Sequence, residues 1–380
     1  MKKIRLWMLC ILIFGATVIF IGKREVINAY FSTVKLQFLT NYASKYYLYD
    51  FEEQTGLEGI YSGYLEGLDN SVTYYLNQED LKAAKAQMKG NYYGTGLKLR
   101  WNLDGHSMMV IDVIKDSPAE REGIQVGSYI TKVDGIKILP SNEEVIIEKA
   151  VSNANEPIQF TIENGDGITE VHLIPEEVNL EDITIELIDH VMYIKLNTIK
   201  EGTSLRLKEM MDRVATHLYE GILLDVRGLA TDNLEEVCQI SDLFLESGIA
   251  FKEKGKEDQI TTFATEDGAY DTRMAILMNR TTMGGAEALV LALKDHATLY
   301  GSDTGGLLYI KKIVDFEDGT GMSVAGGKIC DRYGKELPKE GITPDVRLYL
   351  DEEEQMNKLI NGYISGAEDS QLEAVLEKFQ

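Results

Sequence analysis

The stretch from Asn279 to Leu308 constrains the fold of this chain most strongly. An apolar run, Met274–Met278, precedes it and predicts a buried strand. A Gly284-Gly285 pair then predicts a tight turn, followed by a helix over Ala286–Lys294 and a strand over Ala297–Tyr300. Many α/β hydrolytic enzymes place a nucleophile and oxyanion donors at such a junction, because the helix N-terminus offers free N–H groups.

The surrounding sequence alternates strands and helices. Strands are predicted at Val191–Leu196 and Gly221–Val226, and helices at Thr203–Leu218 and Asn233–Leu245. This rhythm indicates βαβ units, which form a mainly parallel sheet with helices on its faces. We therefore predict an α/β core over residues 179–350.

The chain is strongly acidic, with 62 Asp and Glu against 38 Lys and Arg and a net charge of −24. This excess of negative charge argues against nucleic acid as a partner and against peripheral binding to anionic lipid. The five histidines are scattered, so we predict no metal site and no cofactor. Whether Cys238 and Cys330 pair cannot be deduced from sequence.

The N-terminus carries an uncharged run, Leu6–Gly22, preceded by three basic residues. Such a run is short but workable for a membrane span of ~17–25 residues. A cleaved signal peptide is the alternative, but Phe20–Arg24 offers no clear small-x-small site. We predict a cytoplasmic N-terminus and signal anchor over residues 1–25, with the bulk of the chain outside the cytoplasm at the cell membrane.

Two flanking regions are predicted to be helical. Residues 26–88 show apolar and tyrosine positions at helical spacing, and we interpret the tyrosine-rich face as a packing surface. Residues 351–380 form an acidic, helical tail.

Residues 89–178 change to a pattern of short strands. Ser117-Pro118-Ala119 predicts a helix start with Ser117 as N-cap, Asn142–Val151 predicts a second helix, and Val133-Asp134-Gly135 predicts a turn. Together these stretches resemble a PDZ domain of the bacterial protease type, with Gly127-Ser128 as a mild departure. The resemblance implies a groove between a strand edge and a helix, where an added peptide strand binds.

The glycine turn Gly94, Thr95, Gly96 and Leu97 is the candidate site for a peptide carboxylate in that groove. Its backbone N–H groups would hold the carboxylate. The alternative is an ordinary hairpin or bulge, because a lone Gly-x-Gly is a weak signal.

The order of motifs over about residues 40–350 resembles the carboxyl-terminal processing peptidases, also called tail-specific proteases. The resemblance implies an anchored or exported chain with a helical segment, a PDZ domain and a ClpP/crotonase-like α/β core. It also implies a serine nucleophile, a lysine base and an oxyanion hole. The supporting stretches are Gly67–Asp69 with Tyr74–Leu76, Gly90–Gly96, Leu223–Arg227, Asp242–Gly248, Ala286-Glu287, Leu293–Asp295 and Gly341–Val346.

Each catalytic part departs from the family pattern. Anchored on Glu287, the serine position is Gly284, and the lysine position after Thr304 is Leu307. The family's Asn-Pro-Gly-Gly loop, which supplies oxyanion donors, is replaced by Leu229 and then Ala230, Thr231 and Asp232. Because three independent parts are missing at once, the sequence predicts a catalytically degenerate member.

Replacement groups are present nearby and leave an active enzyme as the alternative. Thr282 could act as a displaced nucleophile, and Ser302 with Asp303, Asp295 and His296 could form a rebuilt triad. Lys311 and Lys312 lie further along, and we predict them to be solvated strand charges.

The main hypothesis is thus a membrane-anchored, extracytoplasmic pseudoprotease whose PDZ domain binds protein or peptide C-termini. An active homologous peptidase is a second candidate partner, and homo- or hetero-oligomerisation is left open. The alternatives are a serine-type endopeptidase that processes protein C-termini with a displaced catalytic site, and a purely structural protein.

Overall fold

A computed structural model of the chain describes most residues beyond the N-terminus. The described residues are 34–49, 53–68, 72–101, 106–139, 141, 146, 156–165, 167–215, 219–266, 270, 272–307, 309–349 and 369–379. They fall into two units, Met1–Asp69 and Asn70–Gln380. Within the described residues, no helix has the length and apolar character to cross a membrane. The predicted anchor Leu6–Gly22 lies outside them.

In the first unit, helix α1 covers residues 34–46 and helix α2 covers Glu53–Glu66. Phe38, Tyr42 and Tyr46 are spaced by four residues on α1, so their rings lie beside one another in tilted pairs with centroid distances of 5.7 and 4.5 Å. These side chains are exposed, as is Tyr64 on α2. In this unit the tyrosine-rich face is therefore not the packed surface that we predicted.

The second unit opens with a strand that the sequence did not reveal. Strand β1, Tyr74–Leu76, precedes helix α3, Gln78–Met88, and pairs antiparallel with a strand that begins at Gly321. The prediction of helix throughout residues 26–88 is wrong here. Three residues are too few to show a strand periodicity in sequence, and this strand forms because it pairs with a segment far away in the chain.

The strand-rich region contains β2 Tyr92–Gly94, β3 Leu97–Trp101, β4 Met108–Val113, helix α4 Pro118–Arg121, β5 Tyr129–Val133, β6 Ile136–Lys137, β7 Ile158–Asn164, β8 Gly167–Leu173 and β9 Glu176–Val178. It forms an antiparallel sheet in the order β3-β4-β5-β7-β8, with β6 paired to β5. A separate ribbon pairs β2 with β9, so the strands at the two ends of this region lie side by side. The buried centre of the sheet includes Val110, Ile130 and Phe160.

The helix start at Ser117 is as predicted. Its hydroxyl oxygen accepts a hydrogen bond from the N–H of Glu120, and Pro118 occupies the first helical position. Of the second predicted helix, Asn142–Val151, only Ile146 lies within the described residues, where it is helical and buried.

The core region contains β10 Ile183–Ile188, β11 Val191–Leu196, helix α5 Thr203–Val214, β12 Gly221–Asp225, β13 Ala230–Thr231, helix α6 Leu234–Asp242, β14 Gly248–Gly255, β15 Ile260–Thr265, β16 Met274–Met278, β17 Met283–Gly284, helix α7 Gly285–Leu293, β18 Ala297–Gly301, β19 Tyr309–Asp315, β20 Gly321–Cys330, β21 Val346–Arg347 and helix α8 Ser370–Leu376. Its centre is a six-stranded sheet in the order β10-β11-β12-β16-β18-β21. All pairs are parallel except β10 with β11.

Both faces of the core sheet are covered. On β16, Ile276 packs into the cluster that includes α5, α6 and α7, whereas Ala275 and Leu277 pack against α8. Successive side chains of a strand point to opposite faces, so a strand buried on both faces must be apolar throughout. This explains the run Met274–Met278, all of which is buried.

A second sheet, in the order β1-β20-β14-β15 with β19 also paired to β20, covers the far side of α7. All nine residues of α7 are buried for this reason. The mainly parallel core was predicted, but this antiparallel sheet was not.

The end of the chain is part of the core. Leu372, Val375, Leu376 and Phe379 are buried against the core sheet, and Arg227 binds Asp369 at the start of α8. The acidic tail was predicted as helical, and α8 confirms this for its last part. Residues 351–368 lie outside the described residues.

Cys238 and Cys330 are both free thiols, so they do not pair. Cys330 is buried and Cys238 is half-buried. Cys10 lies outside the described residues. Within those residues, no group of three or more His, Cys, Asp or Glu side chains is arranged to hold a metal ion.

Candidate active site

The junction predicted at Met274–Lys294 is present, with β16, a turn, β17 and α7 following in order and the helix ending at Leu293. Thr282 fixes the turn. Its hydroxyl accepts a hydrogen bond from the N–H of Asn279 (3.1 Å) and donates one to the carbonyl of Val226 (2.8 Å). The side chain is fully buried. Because the hydroxyl already accepts one hydrogen bond and donates another to backbone groups, the geometry disfavours Thr282 as a displaced nucleophile.

Gly284 and Leu307 lie face to face. A Cβ atom built on Gly284 would be 3.7 Å from Cδ2 of Leu307, which is ordinary van der Waals contact. The structure therefore brings together the two positions at which the family resemblance expects serine and lysine. One has no side chain, and the other carries a hydrocarbon.

The backbone of Gly284 has φ 63° and ψ −127°, a conformation that other residues adopt only under strain. A Cβ atom here would also lie 2.8 Å from the carbonyl oxygen of Thr231. A side chain at residue 284 would thus require a local backbone shift.

The loop at the oxyanion position closes over this turn. Ala230 and Thr231 pair with Met283 and Gly284 as a short parallel ribbon, and the N–H of Met283 donates to the carbonyl of Leu229 (3.0 Å). The loop therefore directs an acceptor oxygen, from Thr231, towards the position where a nucleophile would stand.

Asp232 ties the loop to strand β19. Its carboxylate accepts a hydrogen bond from the backbone N–H of Lys311 (3.1 Å) and lies 3.7 Å from the Lys311 ammonium. Burial raises the pKa of Asp232, and Lys311 opposes part of that shift. The prediction of a solvated Lys311 is wrong, because its side chain is only 22% exposed; Lys312, at 60%, is exposed as predicted.

Glu287 holds the serine-position turn and the lysine-position loop in place. Its buried carboxylate accepts hydrogen bonds from the N–H groups of Gly284 (3.2 Å), Gly306 (2.8 Å) and Leu307 (3.0 Å), and from the hydroxyl of Thr304 (2.5 Å). Burial raises the pKa of Glu287, and these four donors offset only part of the rise. In sequence, Glu287 and Thr304 were visible only as alignment anchors.

The network yields a prediction about Thr304, whose hydroxyl also accepts from the N–H of Ile342 (2.8 Å). We expect Thr304→Val to lower the free energy of unfolding by about 1–3 kcal/mol, because a buried N–H loses its acceptor and Glu287 loses a donor. The exposed Thr298→Val is the matched control, and urea denaturation is the measurement.

The pH dependence of this deficit follows from Glu287. The pKa of Glu287 is raised in the folded state. Its contribution to folding stability is therefore present below the ordinary pKa of about 4.3 and is lost as pH rises through the folded-state value. Losing the Thr304 hydroxyl raises the Glu287 pKa further, so the loss of stability caused by Thr304→Val should be larger at pH 8 than at pH 4. An equal deficit at both pH values would contradict this assignment.

The rebuilt triad is not assembled. Asp303 binds Arg347 (2.8 Å) and Asp295 pairs with Arg332 (3.3 Å), so both carboxylates are engaged with arginines. His296 instead lines a cavity of about 450 Å³ with Arg332.

The candidate carboxylate loop connects the β2–β9 ribbon to β3, which is a terminal strand of its sheet in the described part of the chain. The carbonyl of Thr95 accepts from the N–H of Ala119, and that of Gly96 accepts from the N–H of Ile114, both at 2.9 Å. Leu97 begins β3. An added strand could therefore pair with β3 beside a turn that is already held in place.

Comparison with known families agrees with this arrangement. Residues 190–348 match the model of peptidase family S41, and residues 109–164 match a PDZ domain. The chain therefore combines an S41-type peptidase domain with a PDZ domain, and it is similar to the carboxyl-terminal processing peptidases. The resemblance seen in the sequence is confirmed, as is the combination of a PDZ domain with an S41-type α/β core.

Curated relatives and solved structures are similar over most of the chain. A "Probable CtpA-like serine protease" of Staphylococcus saprophyticus is 24% identical over 310 residues, covering 80% of this chain and 62% of the relative. Its namesake in Staphylococcus aureus is 26% identical over 305 residues, covering 79% and 61%. The chain thus spans about six-tenths of the length of these relatives.

Among solved structures, the photosystem II D1 C-terminal processing protease has a TM-score of 0.53 at 20% identity, with 82% of this chain and 86% of that chain covered. A Bacteroides fragilis structure that carries an S41 protease name has a TM-score of 0.56 at 16% identity, with 83% and 89% covered. At such identities these matches describe the fold alone.

Proposed function

We propose that this family member is a pseudoprotease that binds protein or peptide C-termini through its PDZ domain. The observation that carries the proposal is that Leu307 faces Gly284, with Cδ2 of Leu307 3.7 Å from the place of a Cβ on residue 284, where a nucleophile and its base would have to meet. Hydrolysis by this family's chemistry requires a hydroxyl and an amine at these positions. Neither group is present.

The oxyanion loop supports the same conclusion. The Thr231 carbonyl oxygen points towards residue 284, and the half-buried Asp232 follows it directly. A developing oxyanion is stabilised by N–H donors, whereas an acceptor oxygen or a carboxylate close by would oppose it.

Peptide binding is supported by the terminal position of β3 and by the adjoining turn Gly94–Leu97. A peptide added as a strand gains main-chain hydrogen bonds from the strand edge, while N–H groups of the turn hold its terminal carboxylate. Protein C-termini are therefore the proposed ligand class, and an active homologous peptidase is a second candidate partner.

The cellular placement is also a proposal. The uncharged run Leu6–Gly22 after three basic residues supports a signal anchor with the PDZ domain and core outside the cytoplasm. The acidic net charge of −24 supports a domain that stays soluble beside the membrane.

A direct activity test distinguishes the pseudoprotease from an active endopeptidase. The purified full-length chain is incubated with β-casein and, separately, with a fluorophosphonate probe, beside an active serine–lysine peptidase of the family. We expect no casein turnover and no labelling, because no activated hydroxyl is available. Turnover or labelling that Thr282→Ala abolishes would overturn the proposal.

A further inference from the structure

A tyrosine from outside the PDZ sheet reaches the candidate carboxylate loop. Tyr92 lies on β2, paired with Val178 of β9, and its phenol oxygen accepts a hydrogen bond from the N–H of Gly96 at 3.4 Å. A Cβ atom built on Gly94 would lie 2.4 Å from the same phenol oxygen. The hydroxyl is therefore seated against the turn, and residue 94 must be glycine to admit it.

The loop itself is held firmly. Carbonyl groups of Thr95 and Gly96 are bound at 2.9 Å by N–H groups of Ala119 and Ile114, and a Cβ atom on Gly96 would lie 2.0 Å from the hydroxyl oxygen of Ser117. The turn thus has little freedom to rearrange around a ligand. The Tyr92 side chain, half-buried and attached to the ribbon, is the part that can move.

The Tyr92 contact is weak compared with what a ligand would offer. At 3.4 Å it is longer than the ordinary 2.7–3.2 Å of an N–H···O bond, and the phenol oxygen is uncharged. Burial raises the pKa of Tyr92, although the Gly96 hydrogen bond lowers it in part, so the phenol keeps its proton at neutral pH. A carboxylate accepts charge-assisted hydrogen bonds that are roughly twice as strong.

We propose that the Tyr92 hydroxyl competes with the ligand's terminal carboxylate for the Gly96 N–H and so weakens C-terminal peptide binding. This inference rests on the proposed function. A bound carboxylate displaces the hydroxyl, and Tyr92 then turns away from the loop. Because Tyr92 belongs to the β2–β9 ribbon, ligand binding changes the packing where the PDZ region joins the core.

The test compares Tyr92→Phe with the full-length wild-type chain. The matched control is Tyr93→Phe, which removes the same atom from the opposite side of the same strand. The probes are twenty fluorescein-labelled hexapeptides that differ in the last residue, each as free acid and as C-terminal amide. Fluorescence anisotropy gives the Kd, and hydrogen exchange of the peptide segment containing Gly96 reports the contact without any ligand.

We expect Tyr92→Phe to bind the free-acid peptides about three- to tenfold more tightly. This gain corresponds to the loss of one neutral hydrogen bond that competes with the peptide carboxylate. Amidated peptides and Tyr93→Phe should show no change, and exchange at Gly96 should become faster in Tyr92→Phe. Unchanged or weaker binding by Tyr92→Phe, with the wild type binding, overturns the inference and leaves the proposed function standing. Absence of free-acid binding by all three proteins overturns both.

Discussion

Replacing Arg227 with methionine is expected to lower the free energy of unfolding by about 3–5 kcal/mol. Arg227 forms hydrogen bonds to the carboxylate of Asp225, which is fully buried, through Nε (3.0 Å) and a terminal guanidinium nitrogen (2.7 Å). Tyr193 donates a further bond to Asp225 (3.0 Å) but carries no charge. Without the guanidinium, Asp225 is left as an uncompensated charge in the core.

The same substitution should loosen the end of the chain. Arg227 also binds Asp369 and Gln371, which flank the start of α8. Urea denaturation measures the loss of stability, and hydrogen exchange over Ser370–Leu376 measures undocking of the helix. Lys208→Met, which removes an exposed pair with Asp212, is the control and should leave stability almost unchanged, because solvent screens such a pair. A comparable loss in both variants would contradict the special role of Arg227.

Acid should weaken the ion pair between Arg227 and Asp369 in the wild type. Burial alone would raise the pKa of Asp369, but the hydrogen bonds and charge of Arg227 outweigh it and hold the pKa below its usual range. The contribution of Asp369 is therefore present above the ordinary pKa of about 3.9 and is lost as pH falls through the lowered folded value. Arg227→Met should lack this part of the acid transition.

Gly284→Ser combined with Leu307→Lys is expected to remain without peptidase activity. The new Cβ at residue 284 meets the Thr231 carbonyl oxygen at 2.8 Å, and the positive φ adds strain of about 1–3 kcal/mol. The loop would still present an acceptor instead of oxyanion donors. Hydrolysis of β-casein and fluorophosphonate labelling are the measurements.

Activity should appear only when the loop is changed as well. The decisive variant adds Leu229→Asn, Ala230→Pro, Thr231→Gly and Asp232→Gly, which installs the family's loop sequence. Removing one oxyanion donor alone typically costs 10²–10³ in kcat, so the two-residue and six-residue variants should differ by at least that much. If the two-residue variant alone hydrolyses casein, the loop is not a barrier and this interpretation is wrong.

Much of the site was predictable because its signals are local. Gly284 and Leu307 could be assigned from flanking anchors, since a glycine turn before a helix and a Thr-Gly-Gly after a strand are short, contiguous patterns. The strands Val191–Leu196 and Met274–Met278 were predicted at their observed bounds, because strands covered on both faces are mostly apolar; Lys195 is the one charged residue in the two.

Other features could not be predicted because they depend on residues far apart in the chain. Lys311 looked like a solvated charge until Asp232 was found beside it, 79 residues away in sequence. Strand β1 is only three residues long and is defined by its pairing with β20. The role of Tyr92 depends on the path of its side chain to the loop, which no spacing rule describes.

By itself, the sequence determined which chemical groups are present: a PDZ-type region joined to an α/β core, without a serine or lysine at the expected positions. The tertiary structure alone decided what occupies the space they leave. Leu307 faces Gly284, the Thr231 carbonyl closes on the turn, and Glu287 holds both segments. The reason is physical: residue identity limits which bonds a side chain can form, whereas only the packed fold sets which groups lie within bonding distance.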